Sequence, residues 1–357
     1  MRKTLPIIIK TFIAAILVII FATSLTSCRK GLCYNHYRAL GVTFEWDQVW
    51  ERDYGANIQG SWGNRKTDKT YHELIPDIAN DVTVIVYNVE DDDDISVMYV
   101  GNASASVSVS DGENSLLFFN EDVKYVDFND LHDRYSATIT AHEYIRSTYD
   151  ALPGEVTVRE PDMIYGSYVS RLAEILNHER QDLEILMTPL TFTYVVHFTF
   201  ARGAEHVSLA RGALTGMARG VYLRDGCTTP DEATILFDGC EACDHGFISD
   251  VVSFGLPDFH DEAYNGADPH RDLGKQRSSA AVNRLNLEVR LTNGSIKNFW
   301  FDVTDQLAKQ PMGGVIAVDG LIIEDDENIG SGGGLDVEVD SWGDTIETVV
   351  PFDPNQQ

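Results

Sequence analysis

Leu190-Thr191-Phe192-Thr193-Tyr194-Val195-Val196-His197-Phe198-Thr199-Phe200 decides the fold class. Leu190, Phe192, Tyr194, Val196, Phe198 and Phe200 are set against Thr191, Thr193, His197 and Thr199. That period of two puts one face of a strand on a core and the other toward water. The same period recurs in Ala103, Ala105, Val107 and Val109, set against Ser104, Ser106 and Ser108. Val82 to Tyr87 is an unbroken β-branched run, which predicts a strand buried on both faces. Leu285, Leu287, Val289 and Leu291 lead through Asn293-Gly294 into Ser295 to Phe301. This predicts a hairpin with a two-residue turn, because Asn-Gly supplies the positive φ angles such a turn demands. A last strand is expected at Leu335, Val337 and Val339.

Helical signals are few. Val169, Leu172, Ile175 and Leu183 give Ser167 to Glu184 a loose helical spacing, and Asp305 to Lys309 reads as one turn capped by Thr304 and stopped by Pro311. The economical architecture is all-β, with two multistranded antiparallel domains. Pro161, within Glu160-Pro161-Asp162, punctuates a stretch poor in alternation. It divides an N-terminal domain, residues 41–160, from a C-terminal domain, residues 161–350, with a tail at 351–357.

The first 27 residues read as a leader. Arg2, Lys3 and Lys10 are basic, Thr11 to Phe21 is almost wholly apolar, and Leu25-Thr26-Ser27-Cys28 has the form of a bacterial lipobox. A membrane span needs ~20 apolar residues, and Lys10 interrupts this run. The expectation is cleavage before Cys28 and anchorage of the chain to a membrane by a diacylglycerol and further acyl chains on that cysteine. Several chains make a durable anchor, at ~0.8 kcal/mol per buried methylene. Residues 28–40 form a short tether, at most ~3.3–3.6 Å per residue. Loss of the leader takes the formal charge of the 357-residue chain from −29 to −32. A surface this acidic repels phosphate backbones, which excludes nucleic acid as a partner. Cys33, Cys227, Cys240 and Cys243 remain, and outside the cytoplasm they are candidates for disulfides in any of three pairings.

No catalytic pattern emerges, and the chain reads as a non-enzyme that needs no cofactor. Glu90-Asp91-Asp92-Asp93-Asp94 lacks the spacing and glycine of a calcium loop and reads as a solvated turn, as does Glu324-Asp325-Asp326-Glu327. Cys240-Glu241-Ala242-Cys243-Asp244-His245 has zinc-ligand types, with Cys227 as a fourth, but a single Cys-x-x-Cys in an oxidising compartment favours pairing over metal. His142-Glu143 is followed by Arg146, where a zinc protease needs its second histidine. No nucleophile elbow occurs. Trp46, Trp50 and Trp62, with Tyr54, either fill a core or form a stacking platform for sugars, the basis of an alternative reading as a glycan-binding envelope lipoprotein.

Four blocks together resemble the fimbrillin-like lipoproteins of Bacteroides-type bacteria, a family of unknown function. They are Ser27-Cys28-Arg29-Lys30-Gly31-Leu32-Cys33-Tyr34-Asn35-His36, Ala213-Leu214-Thr215-Gly216-Met217-Ala218, Phe301-Asp302-Val303-Thr304-Asp305-Gln306, and Gly333-Gly334-Leu335-Asp336-Val337 with Val339-Asp340-Ser341-Trp342. The resemblance implies two tandem transthyretin-like β-sandwich domains on an outer-membrane lipid anchor. It further implies a fimbrial anchor or accessory subunit, or an adhesin, that binds other envelope proteins by adding strands to sheets. It brings no catalytic residues. Arg29, Lys30 and Gly31 stand where surface-exported lipoproteins of these bacteria carry acidic residues, so the cell surface and the periplasmic face of the outer membrane are both open.

Overall fold

A computed structural model gives the fold and describes residues 38–64, 69–110, 112–172, 181–267 and 282–328. The lipobox Leu25-Thr26-Ser27-Cys28, Cys33, the expected strand at Leu335 to Val339 and the tail lie outside the described residues. The first ten strands are β1 (Arg38–Trp46), β2 (Asp81–Asn88), β3 (Ile95–Gly101), β4 (Ser104–Val109), β5 (Asn114–Phe119), β6 (Val126–Asn129), β7 (Thr138–Ala141), β8 (Thr157–Arg159), β9 (Tyr165–Leu172) and β10 (Gln181–Pro189). They are followed by β11 (Phe192–Arg202), β12 (Val207–Ala218), β13 (Gly220–Tyr222), β14 (Glu232–Phe237), β15 (Glu241–Cys243), β16 (Gly246–Ser253), β17 (Arg284–Leu291), β18 (Ile296–Asp302) and β19 (Gly314–Ile322). Among the described residues two one-turn helices accompany them, α1 (Ile58–Ser61) and α2 (Thr304–Leu307). The all-β expectation holds.

The first sheet has the order β3-β2-β5-β9-β10-β1-β4. Only Asn102 and Ala103 join its edge strands β3 and β4, so the sheet curls until its edges meet at that end. Leu40, Val42 and Phe44 of β1, Val84 of β2, Val107 of β4 and Phe118 of β5 fill the inside of the curl. The β-branched run behaves as expected: Val82, Val84 and Val86 face this core, while Ile85 and Tyr87 face a second one.

That second core lies between the sheets β15-β16-β11-β19 and β18-β17-β12-β14-β8. Tyr194, Val196 and Phe198 of β11 meet Leu285, Leu287 and Val289 of β17, all essentially buried. The Leu190–Phe200 alternation is thus realised, with Thr193, His197 and Thr199 only half-buried on the opposite face. Trp50, Ile58 and Leu74 cover that opposite face over Val195, Ile248 and Val315. A small sheet, β13-β7-β6, completes the molecule.

Several expectations are corrected. Ser167 to Glu184 is not helical where it is described: Ser167 to Leu172 belongs to β9, and Gln181 to Glu184 opens β10. Pairing of β9 with β5 supplies its backbone bonds and overrides the weak helical period. The sheets do not divide at Glu160-Pro161-Asp162, since β9 and β10, beyond Pro161, pair with β5 and β1 before it. Likewise β8, before Pro161, pairs with β14 after it. Nor is the pairing wholly antiparallel: β1 with β10, β11 with β19 and β8 with β14 run parallel. The β17–β18 hairpin closes through Thr292, Asn293 and Gly294, with the Leu291 N–H donating to the Ser295 carbonyl at 2.8 Å. Only Gly294 takes a positive φ there, 86°, as in a three-residue loop ending on a left-handed glycine rather than a two-residue turn.

Candidate ligand groove

The three N-terminal tryptophans are packed rather than displayed. Trp50 is 1 % exposed, with the rings of Trp62 and Tyr71 at 5.5 and 5.1 Å. Trp62 is half-buried and donates its indole N–H to the Lys69 carbonyl at 2.9 Å. Trp46 lies edge-on to Tyr165 and donates to the Asn102 carbonyl at 3.0 Å. They form no common exposed platform.

Cys227, Cys240 and Cys243 are not bridged to one another. Cys240, just before β15, packs toward the large core and Cys243, at the end of β15, toward the Trp50 cluster. Burial pushes the Cys240 thiol up to about 12, which keeps it a poor nucleophile. Cys227 is fully buried, its sulfur 3.6 Å from His260 Nδ1. Among the described residues no three His, Cys, Asp or Glu side chains gather as metal ligands. His142 pairs with Asp127 at 2.8 Å and Glu143 with Arg219 at 2.6 Å. The acidic run forms the β2–β3 turn, where the Asp94 N–H donates to the Asp91 carbonyl at 3.0 Å and Arg134 reaches Asp92 at 3.3 Å.

Among the described residues the exposed tryptophan is Trp300, 49 % exposed. On β18 the core-facing aromatics are Phe299 and Phe301, half-buried. Trp300 falls between them and must point to the outer face. An aromatic out of phase with its strand's apolar period was the signal in the sequence that would have singled it out.

Trp300 borders a groove of about 490 Å³ on the outer face of the β18-β17-β12-β14-β8 sheet. That is within the range of small-ligand sites. Tyr149, Leu152 and Pro153 form one wall, Thr215, Gly216 and Thr234 belong to the strands beneath, and Asp150, Glu155, Glu232 and Arg284 add charge. The dent has a backbone cause. Pairing of β12 with β14 slips between Leu214 and Met217, and Gly216 within the slip has φ 70°. Such bulges bend a strand and re-aim its side chains. Asn283 Nδ2 donates to the Thr215 and Gly216 carbonyls at 2.8 and 2.9 Å, and the Arg284 N–H donates to Thr215 Oγ1 at 2.9 Å. The bulge is therefore held open by side-chain bonds.

The wall is a strap, residues 142–156, fastened over the same sheet face. Arg146, 3 % exposed, donates to the Gly212 carbonyl at 3.1 Å and to Asp238 at 3.1 Å. Desolvation, reinforced by the neighbouring Arg211 cation, lowers the Arg146 pKa. Arg211 pairs with Glu288 at 2.6 Å and also donates to Thr148 of the strap. On the core side of the same strand, β12, Gly212 makes room for Phe237, whose ring a Cβ there would meet at 2.1 Å. Next to the groove, Glu155 accepts from the Tyr149 hydroxyl at 2.9 Å, from Thr234 Oγ1 and from the Leu152 N–H at 2.6 Å. Burial and that carboxylate raise the Tyr149 pKa, fixing the ring as a neutral donor 6.3 Å from Trp300 and tilted 46° to it. The Arg284 guanidinium, by contrast, bonds no described side chain.

The architecture defines the class: an all-β protein of stacked sheets with a side-chain-lined groove on one outer face. Residues 72–238 match the family model described as a domain of unknown function, DUF5119. The matched segment runs through the expected boundary at Pro161. No curated protein matches the chain. Among solved structures, a candidate adhesin from Bacteroides ovatus is similar at a TM-score of 0.54 and 14 % identity, over 81 % of this chain and 94 % of that one. Weaker likenesses, both at 79 % of this chain and 90 % of the other, are to a candidate polysaccharide-binding protein from Bacteroides thetaiotaomicron (TM-score 0.46, 11 % identity) and to a fimbrial anchor protein from Porphyromonas gingivalis (TM-score 0.43, 9 % identity). The resemblance read from the sequence stands at the level of a family of unknown function and its β-sandwich fold.

Proposed function

We propose that this chain is an adhesin-like protein of the bacterial outer membrane, a fimbrial anchor or accessory subunit or an adhesin, that works by binding rather than by catalysis. In this reading Cys28 carries the acyl chains that hold it, and its partners are fimbrial or other envelope proteins. The observation that carries the reading is an architecture shared with the candidate adhesin over 81 % of this chain and 94 % of that one. Supporting it is the lipobox-like sequence Leu25-Thr26-Ser27-Cys28 after a basic and apolar leader. Edge strand β18 presents backbone groups that a partner's strand could pair with, which is the physical basis of strand addition. On β19, by contrast, the Gln306 and Gln310 side chains already bond the Ala317 and Val315 backbone.

Replacing the lipid attachment site tests the anchor. Cys28→Ala is expected to move the protein out of the outer-membrane fraction, and retention there would overturn the lipid reading. Affinity purification of the intact protein from its own envelope tests the partner class. Fimbrial subunits are expected to co-purify, and sugar-uptake components in their place would argue for another role.

A further inference from the structure

We propose that the groove between Trp300 and the strap is a carbohydrate subsite that takes an uncharged sugar ring. The inference rests on reading the chain as a binding protein and names a ligand for a site that the sequence did not reveal. Three features point to this chemistry. The first is the aromatic wall. A half-exposed indole offers one flat apolar face and the fixed phenol beside it an angled second wall. Such faces pack against the C–H face of a pyranose while the ring's hydroxyls reach polar neighbours.

The second is the polar set. Asp150 and Glu232 offer acceptors and the Arg284 guanidinium offers donors. A polyol, whose hydroxyls both give and accept, satisfies both kinds at once. The backbone of the bulge is already engaged: the Thr215 and Gly216 carbonyls accept from Asn283, and the Thr234 N–H donates to the Val156 carbonyl at 2.8 Å. The groove therefore offers little for a peptide strand to pair with, and recognition there falls to side chains.

The third is charge. Asp150, Glu155 and Glu232 outnumber Arg284 in the lining, on a chain whose net charge is −29. Phosphorylated, sulfated or uronate-bearing ligands are repelled at long range. The rigidity of the wall matters as well. Arg146, Arg211 and Glu155 lock the strap before any ligand arrives, so little ordering cost falls on binding.

The test is affinity electrophoresis of the full-length lipidated protein in detergent, through gels containing neutral polysaccharides (mannan, xylan, laminarin, starch) or the anionic polygalacturonate. Retardation by at least one neutral polymer is expected. Trp300→Ala should weaken it by roughly tenfold, the loss of one well-stacked aromatic contact, at unchanged thermal stability. Trp300→Phe should restore part of it. Retardation by none of the neutral polymers, preference for polygalacturonate, or equal retardation of wild type and Trp300→Ala would each overturn the proposal. Envelope co-purification with the wild-type and Trp300→Ala proteins separates the two readings. If fimbrial subunits co-purify with the wild-type protein while it binds no sugar, the subsite falls and the adhesin-like reading stands. If they co-purify with Trp300→Ala while only sugar retention is lost, both readings stand.

Discussion

Arg211 and Glu288 show what one buried pair does for this molecule. Their side chains are 5 % and 1 % exposed, and two hydrogen bonds from Arg211, at 2.6 and 3.0 Å, reach the same carboxylate oxygen. Removing one partner strands a charge in the interior. Arg211→Ala is expected to lower stability by about 3–5 kcal/mol in urea unfolding, whereas joint replacement by Arg211→Met and Glu288→Leu should cost far less. Glu160 acts through pH. Burial raises its pKa from 4.5 to about 7, with the Asp238 and Asp250 carboxylates adding to the shift and the Val252 N–H opposing it. The folded state therefore holds a proton that the unfolded chain releases. The stabilisation is complete below about pH 4.5 and drains away as pH rises through about 7. Glu160→Gln should flatten this slope, matching wild type near pH 4 and exceeding it near pH 8 by about 3 kcal/mol at most. Urea midpoints across that window are the measurement. A wild-type midpoint that rises between those values would refute the assignment.

At the scale of elements, the segment from Trp50 to Leu74 works as a cover. Its Trp50, Ile58 and Leu74 seal one face of the β15-β16-β11-β19 sheet, and Lys69 ties it down to Asp250 at 2.6 Å. Trp50→Ala empties that cover and should reduce stability by about 3–5 kcal/mol. It should leave sugar retention by the folded protein unchanged, which separates the packed tryptophans from Trp300. Calorimetry and the same gels read both. Gly212 acts on the inner face of the sheet that the strap crosses, toward the core. Gly212→Ala drives a methyl group into Phe237, and the expected result is a loss of about 1–3 kcal/mol in thermal unfolding from overpacking. The strap and cover share a property that makes them hard to foresee. Neither has a regular period, so their place is set by the sheet face beneath them.

At the scale of the whole molecule, one core joins what the sequence divides at Pro161. Ile85 and Tyr87 of β2 and Leu117 and Phe119 of β5 belong to the same buried cluster as Tyr194, Leu287 and Ile316. A chain built this way should unfold in one cooperative transition, followed together by near-UV and far-UV dichroism. The fragment 161–357 should fail to fold alone, because β9 would lose β5, β10 would lose β1 and β14 would lose β8. A fragment that resists proteolysis and shows a sharp thermal transition would restore the division expected from the sequence.

Alternation and β-branched runs made the all-β class legible, down to Val82–Tyr87 as a doubly buried strand, because side-chain period is a local property of the backbone. The proposed lipobox, outside the described residues, is likewise a short linear pattern. Long-range pairing decided the rest. Only the tertiary fold turned Ser167–Leu172 into a strand against β5, buried Trp50 and left Trp300 at the surface. The same holds for the strap that Arg146 and Arg211 lay beside the Thr215–Gly216 bulge. A residue's own neighbours in sequence say which face it shares, while burial and approach depend on whatever distant segment arrives to cover that face.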